Sequence, residues 1–196
     1  SMLGGTGNVI ANLSSLGVKT FYIGAAGSDD SSVMLEHFLK QTGCDYSFIK
    51  PQGFPTTTKI RMIANNNHLI RADKETFLQM DENLQQELRK KIEAVIQKAD
   101  IVLVSDYKKG LLTLESTKMI IDVCKKYGKK VLVDPKERDF SKYSGADMVK
   151  PNLKEFELVS GKKFDTSAKD FKQKIKSEAL DIMKKYSINN LLITLS

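Results

Sequence analysis

Apolar residues recur along this chain in two rhythms, one of three to four residues and one of two, and the switching between them predicts its architecture. Ile10, Leu13 and Leu16 stand at helical spacing behind the turn Gly4-Gly5-Thr6-Gly7, and Gly17 closes that stretch. Thr20 to Ile23 predicts a short strand. Asp30 or Ser31 is placed to cap a helix whose apolar face is Met34, Leu35, Phe38 and Leu39, with Gly43 as its stop. Leu84, Leu88, Ile92 and Ile96 recur every four residues as one side of an amphipathic helix. "IVLVSD" then reads as a buried strand, followed by a helix carrying Ile120, Ile121 and Cys124, and by the strand "KVLVDP". "DMVKPN", a helix from Lys154, a long helix through Phe171, Ile175, Ala179 and Met183, and a buried strand "LLITLS" complete the series. Strands separated by helices predict an α/β fold, with a mostly parallel sheet and helices on both faces.

The segment from 44 to 73 breaks this rhythm. "PTTTKIRMIANNNHLIRAD" alternates with period two and turns at Asn65-Asn66-Asn67, a β-hairpin pattern. Thr57, Lys59, Arg61 and Ile63 share one face; Thr58, Ile60, Met62 and Ala64 share the other. The hairpin is expected to be an appendage to the main sheet. Lys59 and Arg61, with Arg71 on the partner strand, suit a phosphate, and equally suit the charging of an edge strand against aggregation.

Composition narrows the setting. With 196 residues, 41% of them apolar and 28% charged, one globular domain is expected across 1–196. No apolar run approaches the roughly 20 residues of a membrane span. Met2 is not followed by a basic and then an apolar segment, so a secretory leader is not expected. Cys44 and Cys124 carry no motif spacing, which points away from zinc and towards a reducing cytoplasm. The formal charge of +7 is spread over lysines at the polar backs and ends of predicted helices, so nucleic acid is not an expected partner. A modest positive field still favours an anionic small molecule.

Candidate chemistry sits at the strand ends. "IVLVS" runs into Asp106, "KVLV" into Asp134, "DMVK" into Pro151-Asn152 and "LLI" into Thr194. In an open parallel sheet those carboxyl ends line one edge, where ligands bind. Each residue taken singly can be a helix cap or turn former. Asn152 and Glu155 have the spacing of a capping box, and an amide and carboxylate at a helix start could also order a hydrated Mg²⁺ beside nucleotide phosphates. Gly4, Gly5 and Gly7 let backbone N–H groups approach a ligand or make an ordinary tight turn, and Asn8 is a helix cap or a partner for sugar hydroxyls.

Taken together, "LGGTGNVIANLSSLG", "IGAAGSDD", "TKIRMI", "HLIRAD", "SDYKKGLLT", "VDPKERDFSKYSGADMVKPNLKEFE" and "LLITLS" resemble the ribokinase-type (PfkB) carbohydrate kinases over essentially the whole chain, and most of all their heptose-7-phosphate kinase branch. The resemblance implies a ribokinase-like fold with a small β lid, and ATP-dependent phosphorylation of the anomeric hydroxyl of D-glycero-β-D-manno-heptose 7-phosphate on the route to lipopolysaccharide core. It implies ATP and Mg²⁺ as cofactors, a phosphorylated sugar as substrate, and a homodimer formed through the lid. Carried over by motif, Gly5 and Asn8 belong to the sugar turn. Asp106 and Lys109 face the substrate, and Lys59, Arg61 and Arg71 are the candidates for its 7-phosphate. Lys136, Asn152, Glu155, Thr194 and Ser196 border Mg-ATP.

Family members carry a strand ahead of the glycine turn and a Gly-Ala-Gly-Asp stretch after "LLITLS". The catalytic base is therefore expected C-terminal to Ser196, no residue present is named as base, and the piece alone is expected to be incomplete at both ends and nearly inactive. Another sugar kinase of fructokinase or phosphofructokinase type, and a catalytically silent dimerisation or binding module, are the alternative readings.

Overall fold

The computed structural model describes residues 4–64 and 67–195. The chain divides into two compact units. The first comprises Ser1–Ile92 with Lys109–Leu111, and the second Glu93–Lys108 with Leu112–Ser196.

In the first unit, α1 (Gly5–Ser15) is followed by β1 (Phe21–Ala25), α2 (Asp30–Gln41) and β2 (Asp45–Ile49). β1 and β2 pair in parallel from Phe21↔Asp45 to Ala25↔Ile49, with α2 as the crossover that a parallel pair requires. Ile10, Ala26, Leu39, Cys44 and Phe48 form the core, and Tyr22 meets Phe48 edge-on at 6.1 Å. Two expected caps move. Gly4, not Asn8, precedes α1, and Asn8 lies exposed within the helix. Asp29, not Asp30 or Ser31, caps α2, because it holds the extended backbone that a cap needs while its carboxylate accepts from the Ser32 amide. Leu16 is the C-cap residue of α1 and 78% exposed, so the apolar stripe stops at Leu13; Met34 is also exposed.

The hairpin consists of β3 (Thr58–Ala64) and β4 (Asn67–Lys74), antiparallel from Thr58↔Lys74 onward, with an irregularity after Met62. Asn65 and Asn66 of the expected turn lie outside the described residues. The 44–73 segment is thus divided: β2 pairs with β1, and the hairpin proper starts at Thr58. α3 (Glu82–Val95) follows, and the boundary between units falls after its Ile92.

The second unit holds β5 (Ile101–Ser105), α4 (Leu114–Lys126), β6 (Lys130–Asp134), β7 (Met148–Val149), α5 (Leu153–Ser160) and α6 (Phe171–Tyr186). The strands pair in parallel in the order β5-β6-β7, with Ser105 opposite Asp134 and Val133 opposite Val149. A reciprocal capping box between Thr113 and Ser116 starts α4, which packs on β6 and buries Met119, Ile121, Val123 and Cys124. The parallel strands therefore fall in two sheets, one in each unit.

Three helical and strand expectations shift here. β5 is not a buried strand throughout, since Ile101 and Leu103 are exposed and only Val104 is fully buried. In α6 the fully inward residues are Phe171, Ile182 and Tyr186, while Ile175, Ala179 and Met183 are half-buried. A spacing of four drifts by about 40° per step on an α-helix, so the row that starts at Phe171 has rotated off the core by Met183. "LLITLS" is not a regular buried strand. It joins the sheet through two isolated parallel bridges, Val149↔Leu191 and Asn152↔Thr194, and leaves Leu192 and Leu195 exposed.

Candidate functional site

The carboxyl edge of the second unit's sheet gathers the strand-end residues. Parallel pairing in register puts Asp106 directly after β5 and Asp134 at the end of β6, and the Asp106 amide donates to the Asp134 carbonyl at 3.0 Å. Lys150 follows β7 and pairs with Asp134 at 2.8 Å. Asn152 and Thr194 meet through their bridge, with Thr194 N–H on the Pro151 carbonyl at 3.0 Å and Leu153 N–H on the Thr194 carbonyl at 2.8 Å. Asp106, Asp134, Asn152 and Thr194 thus share one rim; Ser196 lies outside the described residues.

Asn152 is the N-cap of α5, and the box is complete. Its side-chain oxygen accepts from the Glu155 amide at 2.9 Å, and Glu155 Oε2 accepts from the Asn152 amide at 3.0 Å. The other oxygen of Glu155 accepts from Lys136 Nζ at 3.1 Å. Cap and candidate ligand are therefore the same pair of residues: Glu155 is oriented by the helix start and in turn holds an exposed lysine beside it.

Asp106 is placed differently from an open ligand. Only 3% exposed, it accepts from Lys142 Nζ and from the Tyr143 hydroxyl through Oδ2, both at 2.7 Å, and from the Lys108 amide through Oδ1 at 2.8 Å. The last bond is the local turn that an aspartate makes with the residue two ahead, and Lys108 takes up a left-handed φ of 54° within it. Lys142, 9% exposed, also reaches Glu137 at 3.4 Å, and Glu137 pairs with Lys108 Nζ at 2.6 Å. Burial, reinforced by the Asp106 charge, pushes the Tyr143 hydroxyl far above its ordinary pKa, so it stays a proton donor to Asp106. Lys142, Tyr143 and Glu137 escape the sequence reading, since nothing in their spacing links "DFSKY" to a strand end some 36 residues earlier.

The first unit gathers a separate group of cations. Lys59 lies opposite Asp73 across the hairpin and contacts Asp73 at 3.2 Å and Glu75 at 3.3 Å. Arg71 grips Asp73 with two bonds of 2.9 and 2.8 Å, and Lys109 contacts Glu75 at 2.6 Å. The bonds from Arg71, and after them the contact with Lys59, lower the Asp73 carboxyl to about 2. Three cations thus surround two carboxylates, an arrangement that the acidic residues organise and that sequence reasoning missed. Arg61 is the register partner of Arg71, but its side chain lies outside the described residues. Lys109 is fixed by its backbone: its carbonyl accepts from the Leu78 amide at 2.9 Å, and the next residue, Gly110 at φ 93°, leaves room for the Leu78 carbonyl where a Cβ would stand. Gly5 opens α1 at φ 41°, with Asn8 one turn further.

Each unit holds parallel strands joined through helices, the second with polar residues after its strands and the first with a small antiparallel hairpin, and the fold is ribokinase-like. Solved structures bear this out. Phosphofructokinase-2 from Escherichia coli in complex with fructose-6-phosphate superposes with a TM-score of 0.74 at 18% identity, over 100% of this chain and 63% of that one. Ribokinase from Giardia lamblia gives 0.73 at 22% identity, over 98% and 63%. The sequence pattern of pfkB family carbohydrate kinases matches residues 1–196, and the chain belongs to that family. Among curated relatives, the bifunctional protein HldE of Helicobacter hepaticus is 39% identical over 160 residues, 81% of this chain and 33% of the relative. The HldE of Sulfurimonas denitrificans is 38% identical over 197 residues, 100% of this chain and 40% of the relative. The chain therefore spans 33–40% of the length of these relatives.

Proposed function

We propose that this chain is part of a cytoplasmic sugar kinase that phosphorylates D-glycero-β-D-manno-heptose 7-phosphate at its anomeric hydroxyl with ATP, for ADP-heptose and lipopolysaccharide core synthesis. The observation that carries the reading is the shared rim of Asp106, Asp134, Asn152 and Thr194, in a chain whose relatives named HldE match along its length. In this reading Lys136, Asn152, Glu155, Thr194 and Ser196 border the nucleotide. Gly5 and Asn8 serve the sugar, while Lys59, Arg61, Arg71 and Lys109 serve its phosphate. A dianionic phosphate competes with Asp73 and Glu75 for cations that are already gathered, so little side-chain ordering remains to be paid on binding. Asp106 acts through the loop it holds. With Asp106 buried and Asp134 paired to Lys150, neither is assigned as base.

Magnesium fits the donor set. Such an ion is held mainly by phosphate oxygens and water, and Glu155, whose two oxygens accept from the Asn152 amide and Lys136, would order that water shell rather than bind the ion directly. Among the described residues no group of three His, Cys, Asp or Glu side chains forms a cage of its own. When bound with the nucleotide, the ion would neutralise phosphate charge.

Assay of the full-length protein with Mg-ATP tests the reading. Turnover is expected with heptose 7-phosphate, with kcat/KM at least about 100-fold above that for fructose 6-phosphate or ribose, because a site built for specific hydroxyls leaves polar groups unpaired around the wrong sugar. Equal rates on all three sugars reject the heptose assignment.

The hairpin also suits self-association. Ile60, Met62 and Ile70 are each at least half exposed on one face, with Ala72 alongside. We infer that two copies pair through this face. Replacing Ile60 and Ile70 by Lys is expected to turn a sedimenting dimer into a monomer; an unchanged dimer would place the contact elsewhere. Among the described residues no helix is long and apolar enough to cross a membrane.

A further inference from the structure

The described side chains of β3 and β4 are largely exposed, so apolar packing does little to fix the hairpin's direction. Its root is instead tied by polar groups around Asp29. Asp29 Oδ1 accepts from the Ser32 amide at 3.0 Å, and Oδ2 accepts from the Thr56 amide at 3.0 Å. The same Oδ2 lies 3.9 Å from Lys74 Nζ. Thr56 stands two residues before β3, and Lys74 is the last residue of β4. One carboxylate therefore touches the start of α2 and both legs of the hairpin.

The neighbouring contacts tighten this root. The Thr56 hydroxyl accepts from the Gly27 amide at 2.9 Å, and the Thr58 hydroxyl donates to that of Ser31 at 3.1 Å. A Cβ on Gly27 would stand 2.3 Å from the Phe54 carbonyl oxygen and 2.9 Å from the Thr56 amide, so only glycine lets residues 54–56 press this closely. Bonds from Thr56 hold the Asp29 carboxyl below its usual range, which keeps it a full acceptor at neutral pH. Beyond the root, the next residue on β3 is Lys59, and Arg71 lies three residues before Lys74 on β4.

We propose that Asp29 is a positioning residue that fixes the pose of the hairpin, and through it the Lys59 and Arg71 cations, for binding a phosphorylated sugar. Asp29 itself touches no substrate. The inference rests on the kinase reading of the hairpin.

The variant Asp29→Asn separates the two duties of the carboxylate. Asparagine caps a helix as well as aspartate does. It offers one oxygen for two donors, however, so the Ser32 amide stays satisfied and the Thr56 amide does not. Amide exchange in this chain is expected to quicken by about tenfold or more across residues 54–60 and to change by less than about twofold across 32–41, as loss of a bond to a charged acceptor predicts. In the full-length protein the KM for heptose 7-phosphate is expected to rise by roughly five- to tenfold with kcat within about threefold, the pattern of lost uniform binding. Should Asp29→Asn fail to fold, Asp29→Ser, which caps α2 but is too short to reach Thr56, takes the same measurements. Unchanged exchange across 54–60 overturns the proposal, and so does faster exchange with an unchanged KM. If the unaltered full-length protein phosphorylates no sugar, the kinase reading fails, and exchange alone decides whether Asp29 fixes the hairpin.

Discussion

Replacing Asp106 by Ala is expected to destabilise the second unit by about 3–5 kcal/mol, the cost of removing one partner from a buried ion pair. The expectation follows from what is left behind. Lys142 would remain 9% exposed with a single weak acceptor, Glu137, at 3.4 Å. The fully buried Tyr143 hydroxyl would lose the carboxylate that it donates to. The Lys108 amide would lose the acceptor that holds its left-handed turn. Urea unfolding followed by amide exchange in peptides of β5, β6 and α4 measures the loss where it occurs. Replacing both charges together, Asp106→Leu with Lys142→Met, is expected to recover only the part due to the stranded lysine, because the Tyr143 hydroxyl and the Lys108 amide still lose their acceptor. A single Asp106→Ala variant within about 1 kcal/mol of the unaltered chain would show that the charge pair carries little of the unit's stability.

The second large effect is expected at the rim itself. In the full-length protein, Glu155→Ala is expected to lower kcat by about 100-fold or more, the scale of losing one preorganised electrostatic group in a transfer reaction. The stability cost should be small by comparison: half a capping box contributes about 1 kcal/mol, and the half-exposed Lys136 pair adds less. That asymmetry discriminates between readings. If Glu155 only caps α5, activity and stability fall together and modestly, and Glu155→Gln, which keeps a cap-competent oxygen, restores both. If it also serves Mg-ATP, Glu155→Gln keeps the fold and still loses turnover.

The two predictions concern residues with opposite histories in the sequence. Glu155 was legible: a box partner three residues after Asn152, just past a strand-ending proline, is a local pattern, and the structure completes it bond by bond. The strand ends were legible for the same reason, since a run such as "KVLVD" specifies where its polar terminus falls once the strands are parallel. The role of Asp106 was not. Its partners lie some 36 residues away on a short turn, and only packing on α4 and α6 brings Lys142 and Tyr143 under the end of β5. Asp29 was missed by one residue, because "SDDSS" offers several caps in a row and the backbone conformation selects among them.

By itself, then, the sequence determined the order and kind of most elements, the hairpin within the 44–73 segment, and the polar residues at the ends of β5 and β6. These follow from periodicity and turn chemistry, which act over a few residues. Only the tertiary structure decided that β2 pairs with β1, that "LLITLS" joins the sheet by two bridges, and that Asp73 and Glu75 gather Lys59, Arg71 and Lys109. It also decided that Asp106 is buried against a lysine. Pairing partners, burial and charge contacts depend on segments distant along the chain, and their energies exist only once those segments have met.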